Sequence, residues 1–290
     1  MATLACFHIC YDEATKAACP SGFIPLFHDN RIPDLKEIIP IYEYLKGHRW
    51  LPDEFIGFFS PRFKQKTGLD FRDVFDAYDR HKESTDAVFF TSYWDAASLY
   101  LNPWEQGEFA HPGLLHISQS FADRLGLNVD LENTVCCLNQ TVFSHFIIGN
   151  QRFWAEWSTL VNQYFGQIDF KDSPFDQAVP YKNGTHLVHP FVIERFASII
   201  ALSCGLQTTQ HLDHIRALNS ELSRLCLAMD DCKKRFMKTA ERKQLDVYWA
   251  SRIRYMEASK LFTRTAQSYL NRAKIESHKT FVRVNGHRSL

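Results

Sequence analysis

The order in which two hydrophobic periodicities follow each other is the strongest constraint on the fold. Up to about residue 205, short apolar runs typical of strands alternate with stretches whose apolar residues recur at helical spacing. From His211 onward the pattern is helical, apart from a strand predicted over 280–284. This order predicts a Rossmann-like α/β domain with a mixed sheet flanked by helices, and an all-helical extension after it. We place the two domains at residues 1–208 and 209–290.

The same patterns predict the individual elements. Strands are predicted at 4–11, 23–27, 54–60, 86–93, 134–138 and 141–148. Helices are predicted at 34–46, 70–82, 114–125, 151–164, 191–204 and 240–275. The polar stretch 166–187, which contains glycines and prolines, is predicted to be a long loop.

The composition excludes several classes of protein. No apolar run approaches the ~18 residues that span a bilayer, and the first residues do not predict a signal peptide. The eight cysteines include no Cys-x-x-Cys pair, so we expect reduced thiols in a cytosolic protein and no zinc site. The sequence has no P-loop, dinucleotide fingerprint, nucleophile elbow or zinc-protease motif.

Charge is divided unevenly, although the chain has 33 basic and 33 acidic residues. From Arg216 to the end there are 17 basic and 7 acidic residues, so the body is acidic and the C-terminal region basic. Within that region Leu245, Trp249, Ile253 and Met256 predict the apolar stripe of a basic amphipathic helix. An anionic partner is expected, either a membrane surface or nucleic acid. The alternative is that these helices pack against the acidic body.

Polar side chains follow several of the predicted strands. Asp12 follows the first strand, Arg62 follows the third, and Asp95 follows the strand at 86–93. Ligands of open α/β sheets bind beyond the carboxyl ends of the strands. The sequence therefore predicts a binding cleft at this edge of the sheet.

The segment 102–113 combines carboxylates, a histidine and aromatic rings, as a loop that binds a sugar or nucleotide would. We expect Glu105 and His111 of this segment to line one cleft with Asp95, and Arg62 to lie nearby. The alternatives are that the aromatic rings pack in the core and that Glu105 lies at a solvated helix terminus.

Two further candidates lie in apolar surroundings. His145 interrupts an apolar strand pattern, where a histidine is more often a core residue than a catalytic one. Glu194 lies in an apolar helix pattern, and burial of a carboxylate is costly unless the group is paired or binds something. Arg195 and Arg152 are candidate partners. A structural ion pair and a catalytic base both remain open for Glu194.

Several blocks of the sequence resemble a family of bacterial proteins associated with surface-polysaccharide synthesis. These blocks are 22–26, 33–37, 57–63, 66–69, 102–107, 111–113 and 141–148. A second resemblance is to the GT-A-like galactofuranosyltransferase domains of polysaccharide polymerases. It consists of an acidic helix, a segment of glycine and aromatic residues that ends in arginine, and a helix with Glu-Arg, here at 37–44, 57–62 and 194–195.

The resemblance implies a GT-A-like fold and transfer of a sugar from a nucleotide-sugar donor to a glycan or lipid-linked glycan acceptor. GT-A enzymes typically hold a divalent ion, Mn²⁺ or Mg²⁺, with an Asp-x-Asp motif, whereas this chain offers the single carboxylate of Asp95. The donor phosphates would then be neutralised by arginines such as Arg62 or Arg195. Alternatively, Asp95 would hold a metal together with Glu105 or His111.

The site residues implied by the resemblance fall into two groups. Catalytic roles are expected for Glu105, His111 and Glu194, with Glu105 or Glu194 as the base that takes the acceptor proton. Contacts with the donor are expected for Asp12, Arg62, Asp95 and Arg195. We expect a cytoplasmic protein that contacts the inner face of the cytoplasmic membrane. The alternative is a non-enzymatic binding module whose basic helices engage membrane or nucleic acid.

Overall fold

A computed structural model describes residues 3–29, 32, 35–91, 93–167, 178–181, 184–212 and 220–259. The chain divides into two compact units, Met1–Leu218 and Asn219–Leu290. The first is an α/β unit with a six-stranded mixed sheet flanked by helices, and the second contains a pair of helices. These findings confirm the predicted α/β class and the helical C-terminal region. The strand predicted at 280–284 lies outside the described residues.

The strands are β1 (Thr3–Cys10), β2 (Ile24–Phe27), β3 (Glu54–Phe59), β4 (Ala87–Phe89), β5 (Ile147–Asn150), β6 (Ala178–Tyr181), β7 (Gly184–Leu187) and β8 (Thr208–Gln210). The large sheet has the order β2-β1-β3-β5-β4-β8. β1 is parallel to β2 and β3, and β4 is parallel to β8, whereas β5 is antiparallel to both of its neighbours. β6 and β7 form a separate antiparallel pair.

The helices are α1 (Glu13–Ala17), α2 (Ile38–Gly47), α3 (Phe63–Thr67), α4 (Phe71–His81), α5 (Trp94–Leu99), α6 (Pro103–Ala110), α7 (Leu114–Arg124), α8 (Gln151–Gln167), α9 (His189–Ile193), α10 (Phe196–Ser203), α11 (Glu221–Thr239) and α12 (Arg242–Ala258). Several begin at a side-chain cap that the sequence supplies. Asp70 caps α4 and Asn102 caps α6 by accepting backbone N–H bonds from the first turn.

β3 lies inside the sheet and shows how the core is built. All six of its residues are buried, and successive side chains point to opposite faces. Ile56 and Phe58 belong to one hydrophobic cluster, whereas Phe55 and Phe59 belong to another. Trp154 of α8 packs in the first cluster, and its indole N–H donates to the Ile56 carbonyl at 2.9 Å. The second cluster includes residues of α3 and α4, so helices cover both faces of the sheet.

Three of the strand predictions are wrong in extent or in kind. Residues 134–138 contain no strand, and of the run 141–148 only the last two residues belong to β5. Side chains satisfy the backbone here in place of a strand ladder. Ser198 Oγ accepts from the Val142 amide at 2.9 Å, and the Thr141 carbonyl accepts from the Thr91 hydroxyl at 3.0 Å. Of the strand predicted over 86–93, only Ala87–Phe89 forms β4.

The helix predicted at 191–204 is broken into α9 and α10 at Glu194 and Arg195. The Phe191 carbonyl, which would accept the Arg195 amide in a continuous helix, accepts the Arg195 side chain instead. The Arg195 amide donates to the Val192 carbonyl, which tightens the turn. The break leaves the Glu194–Arg195 pair outside regular helix.

Two other differences concern polar segments. The predicted loop 166–187 contains the hairpin of β6 and β7, while residues 168–177 and 182–183 lie outside the described residues. β8 follows the predicted end of the strand region and pairs with β4. The sheet therefore extends past residue 208, where we placed the domain boundary, and the first compact unit ends at Leu218.

The second unit contains α11 and α12. Ser220 caps α11 by accepting from the Ser223 amide at 3.1 Å. The buried face of α12 consists of Tyr248, Arg252, Tyr255 and Met256. Among the described residues of the predicted stripe, Met256 is buried and Leu245, Trp249 and Ile253 are half-buried, while residues 260–275 of the predicted helix lie outside the described part of the chain. Among the described residues, no helix is long and apolar enough to cross a membrane.

Candidate functional site

A cavity of about 450 Å³ lies beyond the carboxyl ends of β1, β3 and β4, and we call it the cleft. Its volume is typical of small-molecule sites. The lining residues are Tyr11, Lys36, Glu37, Arg62, Lys66, Tyr93, Ala96, Gln106, His111, Phe143, Phe191, Glu194 and Arg195. Because β5 is antiparallel to its neighbours, the segment that precedes it reaches the same edge of the sheet and supplies Phe143.

Segments that are distant in the sequence converge on this cleft. They lie before α2, between β3 and α4, along α6, before β5, and at the break between α9 and α10. The first four of these positions fall within or next to the sequence blocks 33–37, 57–69, 102–113 and 141–148. The fifth holds the Glu-Arg pair.

Basic side chains enter the cleft from two sides. Lys36 precedes α2, and its Nζ lies 4.6 Å from the centroid of the Phe191 ring. Lys66 in α3 places its Nζ 5.5 Å from the centroid of the Phe146 ring. Arg62 directly precedes α3 and donates from Nε to Gln65 Oε1 at 3.3 Å. Three cations in one concave site favour an anionic ligand.

Glu194 is the carboxylate whose environment is most unusual. Its side chain is 18% exposed, and Arg195 Nη1 lies 3.9 Å from its Oε2. Burial raises the pKa of Glu194 to about 7, an effect that Arg195, Lys66 and Lys36 oppose and that Glu37 reinforces. A carboxyl group that titrates near neutral pH is suited to take up or release a proton during a reaction.

Arg195 is held rigidly and is only 3% exposed. Its Nε donates to the Pro103 carbonyl at 2.9 Å and its Nη2 to Gln106 Oε1 at 2.9 Å, so it joins α6 to the α9–α10 break. A Cβ at Gly107 would lie 2.7 Å from Nη2, so a glycine is required for α6 to approach this closely. Burial lowers the pKa of Arg195 to about 10, which leaves it charged at neutral pH.

Aromatic rings form part of the wall of the cleft. The His111 ring stacks on Phe191 with centroids 3.8 Å apart. Tyr93 is 57% exposed and is available for stacking on a planar ligand group. Tyr93 and Lys36 both have left-handed backbone conformations, with φ of 67° and 47°. Non-glycine residues rarely adopt such conformations, and they cluster at functional sites.

Of the residues for which the sequence predicts a role, Arg62, His111, Glu194 and Arg195 come together in the cleft. The candidate ion pair of Glu194 with Arg152 does not form, because Arg152 Nη1 lies 3.0 Å from Asp86 Oδ1.

Asp12, Asp95 and Glu105 are not among the lining residues of the cleft. Asp12 caps α1 by accepting from the Thr15 amide at 2.7 Å. Asp95 Oδ1 accepts from the Ala96 amide at 2.9 Å. The Glu105 carboxylate accepts from the Leu101 amide. Each carboxylate thus bonds to nearby backbone, and their predicted roles with a donor or acceptor stay predictions.

Sequence reasoning did not identify Lys36, Glu37 and Lys66 as site residues. The signal was present, because all three belong to sequence blocks that carry the family resemblance. Charged residues in such blocks are usually solvated, and only the folded chain shows that these three share a cavity with Glu194.

A metal site at Asp95 finds no support in the part of the chain that the structure describes. There, no group of three His, Cys, Asp or Glu side chains is placed to hold a metal ion. The predicted divalent cation stays a prediction.

Comparisons with models of known protein families, with curated proteins and with solved structures find no match for this chain. The resemblance to polysaccharide-associated proteins and to GT-A-like domains therefore remains a prediction.

Proposed function

We propose that the chain is a glycosyltransferase of GT-A-like architecture that moves a sugar from a nucleotide-sugar donor to a glycan acceptor. The observation that carries the proposal is the composition of the cleft. Lys36, Arg62 and Lys66 share one cavity with Glu194, a carboxyl group with a pKa of about 7. Glycosyl transfer with inversion at the anomeric carbon needs both functions, positive charge for the leaving diphosphate and a base for the acceptor.

The three cations account for binding of the donor. When the bond between the sugar and the diphosphate breaks, negative charge develops on the phosphate oxygens. Lys36, Arg62 and Lys66 stabilise that charge by electrostatic attraction and hydrogen bonds. Three cations can hold the diphosphate without an Asp-x-Asp motif. The absence of that motif from the sequence is therefore compatible with the proposal.

Glu194 accounts for activation of the acceptor. Its ionised carboxylate accepts the proton of an acceptor hydroxyl while that oxygen forms a bond to the anomeric carbon of the donor sugar. The bond from the anomeric carbon to the diphosphate breaks, and its electron pair leaves with the diphosphate. Arg195 does not contact the donor in this scheme, because its guanidinium is committed to Pro103, Gln106 and Phe191. It acts as a positioning residue for Glu194.

The aromatic residues suit the remaining parts of the ligands. The exposed ring of Tyr93 is available to stack on a nucleobase or a sugar ring at the entrance of the cleft. For a lipid-linked acceptor, the basic helices of the second unit would contact the anionic inner face of the cytoplasmic membrane. The nucleotide-sugar, the acceptor glycan and the membrane are the partners that the proposal requires.

The proposal is tested by incubating the protein with uridine, guanosine and cytidine diphosphate sugars and measuring release of the nucleoside diphosphate. We expect release with at least one donor. Glu194→Gln should lower the rate at least ~100-fold, as loss of a general base does, while still unfolding in one cooperative transition. Glu132→Gln, which changes an exposed carboxylate in the same way, should have the wild-type rate.

Two results would count against the transferase. One is no release with any donor, and the other is a wild-type rate for Glu194→Gln. Binding of a nucleoside diphosphate without turnover would favour the alternative of a non-enzymatic binding module.

A further inference from the structure

A small chamber adjoins the cleft and shares Glu37, Lys66 and Glu194 with it. Its volume is about 10 Å³, which is room for one water molecule or one hydroxyl group. The chamber lies between the ends of β1 and β3 and the start of β5. Ser60, which follows β3, and Ser144 and His145, which precede β5, complete its polar lining.

Three buried polar atoms in this lining have no hydrogen-bond partner. They are Ser60 Oγ, Ser144 Oγ and His145 Nε2. The three residues are 4%, 4% and 5% exposed, so water at the protein surface does not solvate them. Unpaired polar atoms in the interior disfavour folding, and natural proteins contain few of them. Either a buried water molecule or a hydroxyl group of a ligand would complete the hydrogen bonds of these three atoms.

The protonation state of His145 determines which ligand group can form hydrogen bonds in the chamber. The Ile193 backbone raises the pKa of His145, as a carbonyl that accepts from the ring does, and because Nε2 has no partner we assign the ring N–H to Nδ1. Burial lowers the pKa of His145 to about 4, so the ring is neutral at physiological pH. Nε2 is then an acceptor, and the two serine hydroxyls can each donate or accept. A hydroxyl group, which both donates and accepts, complements this set.

We propose that the chamber receives one hydroxyl group of the sugar that is bound in the cleft. The hydroxyl donates to His145 Nε2 and, with its two lone pairs, accepts from the hydroxyls of Ser60 and Ser144. This inference rests on the proposed function, because it takes the ligand of the cleft to be a sugar. It adds a specificity determinant, since the chamber accepts a hydroxyl but has no room for an acetamido group.

The test compares Ser60→Ala and Ser144→Ala with the wild type. Each variant removes one unpartnered oxygen and makes no cavity larger than a hydroxyl, so we expect both to fold. Ser118→Ala is the matched control, because Ser118 Oγ is also buried without a partner but does not line the chamber. Melting curves of all four proteins establish that they are folded.

Affinities are measured by calorimetry for uridine and guanosine diphosphate, for their glucose, galactose and mannose conjugates, and for the free sugars. The contribution of the sugar is the affinity for the sugar conjugate divided by the affinity for the nucleoside diphosphate alone. We expect Ser60→Ala and Ser144→Ala to lower this ratio roughly 3- to 10-fold, as loss of one hydrogen bond does. Affinity for the nucleoside diphosphates alone should be unchanged, and Ser118→Ala should match the wild type throughout.

The outcomes separate this inference from the proposed function. If no nucleoside diphosphate binds, the proposed function fails, and the free sugars alone test the chamber. If sugar-bearing ligands bind the serine variants as well as the wild type, or if no sugar binds, the chamber is not a sugar subsite. A loss of affinity for the nucleoside diphosphates in the serine variants would also overturn the inference.

Mono-deoxy derivatives of the sugar that binds best then identify the hydroxyl. One derivative should bind more weakly than the parent sugar to the wild type, and this difference should shrink in Ser144→Ala. Such non-additivity is the signature of two groups in contact. If the deoxy derivative binds more weakly than the parent sugar by the same factor in the wild type and in the variants, the hydroxyl that it lacks binds elsewhere. That result would contradict the proposal.

Discussion

Glu194 faces the cleft and is desolvated by buried neighbours, and its position in the chain explains both properties. It lies at the break between α9 and α10, where the Arg195 side chain replaces an amide as the donor to the Phe191 carbonyl. The break turns the Glu194 carboxylate toward the cleft, while buried neighbours on both sides desolvate it. The residue is therefore poised to exchange a proton, and it lowers the stability of the fold when it is ionised.

This cost predicts that Glu194→Gln stabilises the protein at alkaline pH. The pKa of Glu194 is raised from 4.5 to about 7 in the folded chain, so the folded state loses stability as the pH rises from about 4.5 to 7. Glutamine does not ionise, so the stability of the variant does not fall in this way as the pH rises. At pH 8 we expect the free energy of unfolding of the variant to exceed that of the wild type by about 1–3 kcal/mol. The two should be equally stable at pH 4.

Urea unfolding at the two pH values measures this difference. Glu132→Gln serves as the control, since it replaces an exposed carboxylate. A Glu194→Gln variant that is less stable than the wild type at pH 8 would show that the carboxylate stabilises the fold as an ion pair.

The same pKa predicts the pH dependence of the proposed reaction. Glu194 must be ionised to accept a proton, so kcat should rise with pH and reach half of its plateau near pH 7. The charged groups that act on Glu194 are Arg195, Lys66 and Lys36, which lower its pKa, and Glu37, which raises it. Lys66→Gln should therefore shift the midpoint to higher pH. A midpoint that Lys66→Gln shifts to lower pH would contradict this assignment.

At the scale of elements, α6 depends on close contact with Arg195. A Cβ at Gly107 would lie 2.7 Å from both Arg195 Nη2 and Leu114 Cδ2, so Gly107→Ala forces the guanidinium or α6 to move. We expect a loss of about 1–3 kcal/mol in the free energy of unfolding. Because Arg195 positions Glu194, turnover should fall as well.

Gly166→Ala in α8 is the matched control. A Cβ at Gly166 would meet no atom within 4 Å, so this change should stabilise the helix by up to about 1 kcal/mol. Thermal unfolding of both variants tests the contrast. Equal melting temperatures for Gly107→Ala and Gly166→Ala would show that α6 adapts to the extra methyl group.

The elements also show why some of the fold follows from the sequence and some does not. β3 could be predicted because its continuous apolar run is buried on both faces. β8 could not, because its three residues, Thr208–Gln210, are polar and acquire strand geometry by pairing with β4. The run 141–146 has the composition of a strand, but Thr141 and Val142 form hydrogen bonds with the distant side chains of Thr91 and Ser198 instead of with a neighbouring strand.

Part of the candidate site, like part of the fold, could be predicted from the sequence. The rule that ligands bind beyond strand ends led to Arg62, and the apolar context of Glu194 marked it as unusual. Lys36 and Lys66 come together in the cleft only in the folded chain, because the segment before α2 carries Lys36 there and helix α3 carries Lys66. Carboxylates such as Asp12 and Glu105 look alike in sequence whether they cap a helix or bind a ligand.

At the scale of the whole molecule, the basic charge of the C-terminal region predicts a membrane interaction. Lys238, Arg242 and Lys243 are exposed in the second unit. We expect the full chain to bind vesicles that contain anionic lipid, and to bind less as salt rises from low to physiological concentration, because each exposed basic residue contributes ~1 kcal/mol at most. Co-sedimentation with vesicles measures the bound fraction.

The control is a variant in which Lys238, Arg242 and Lys243 are all replaced by glutamate. It should bind the same vesicles more weakly at every salt concentration. Equal binding of the wild type to neutral and anionic vesicles would remove the membrane role and leave these helices as a structural part of the chain.

The most direct test of the central claim is calorimetric titration with uridine, guanosine and cytidine diphosphate in the presence of a metal chelator. The account predicts that at least one of them binds the wild type. Lys66→Gln should weaken that binding ~10-fold or more, which corresponds to about 1.4 kcal/mol. Lys64→Gln, a matched change on the exposed side of α3, should leave it unchanged. If no nucleoside diphosphate binds, or if the two lysine variants bind alike, the cleft is not a donor site.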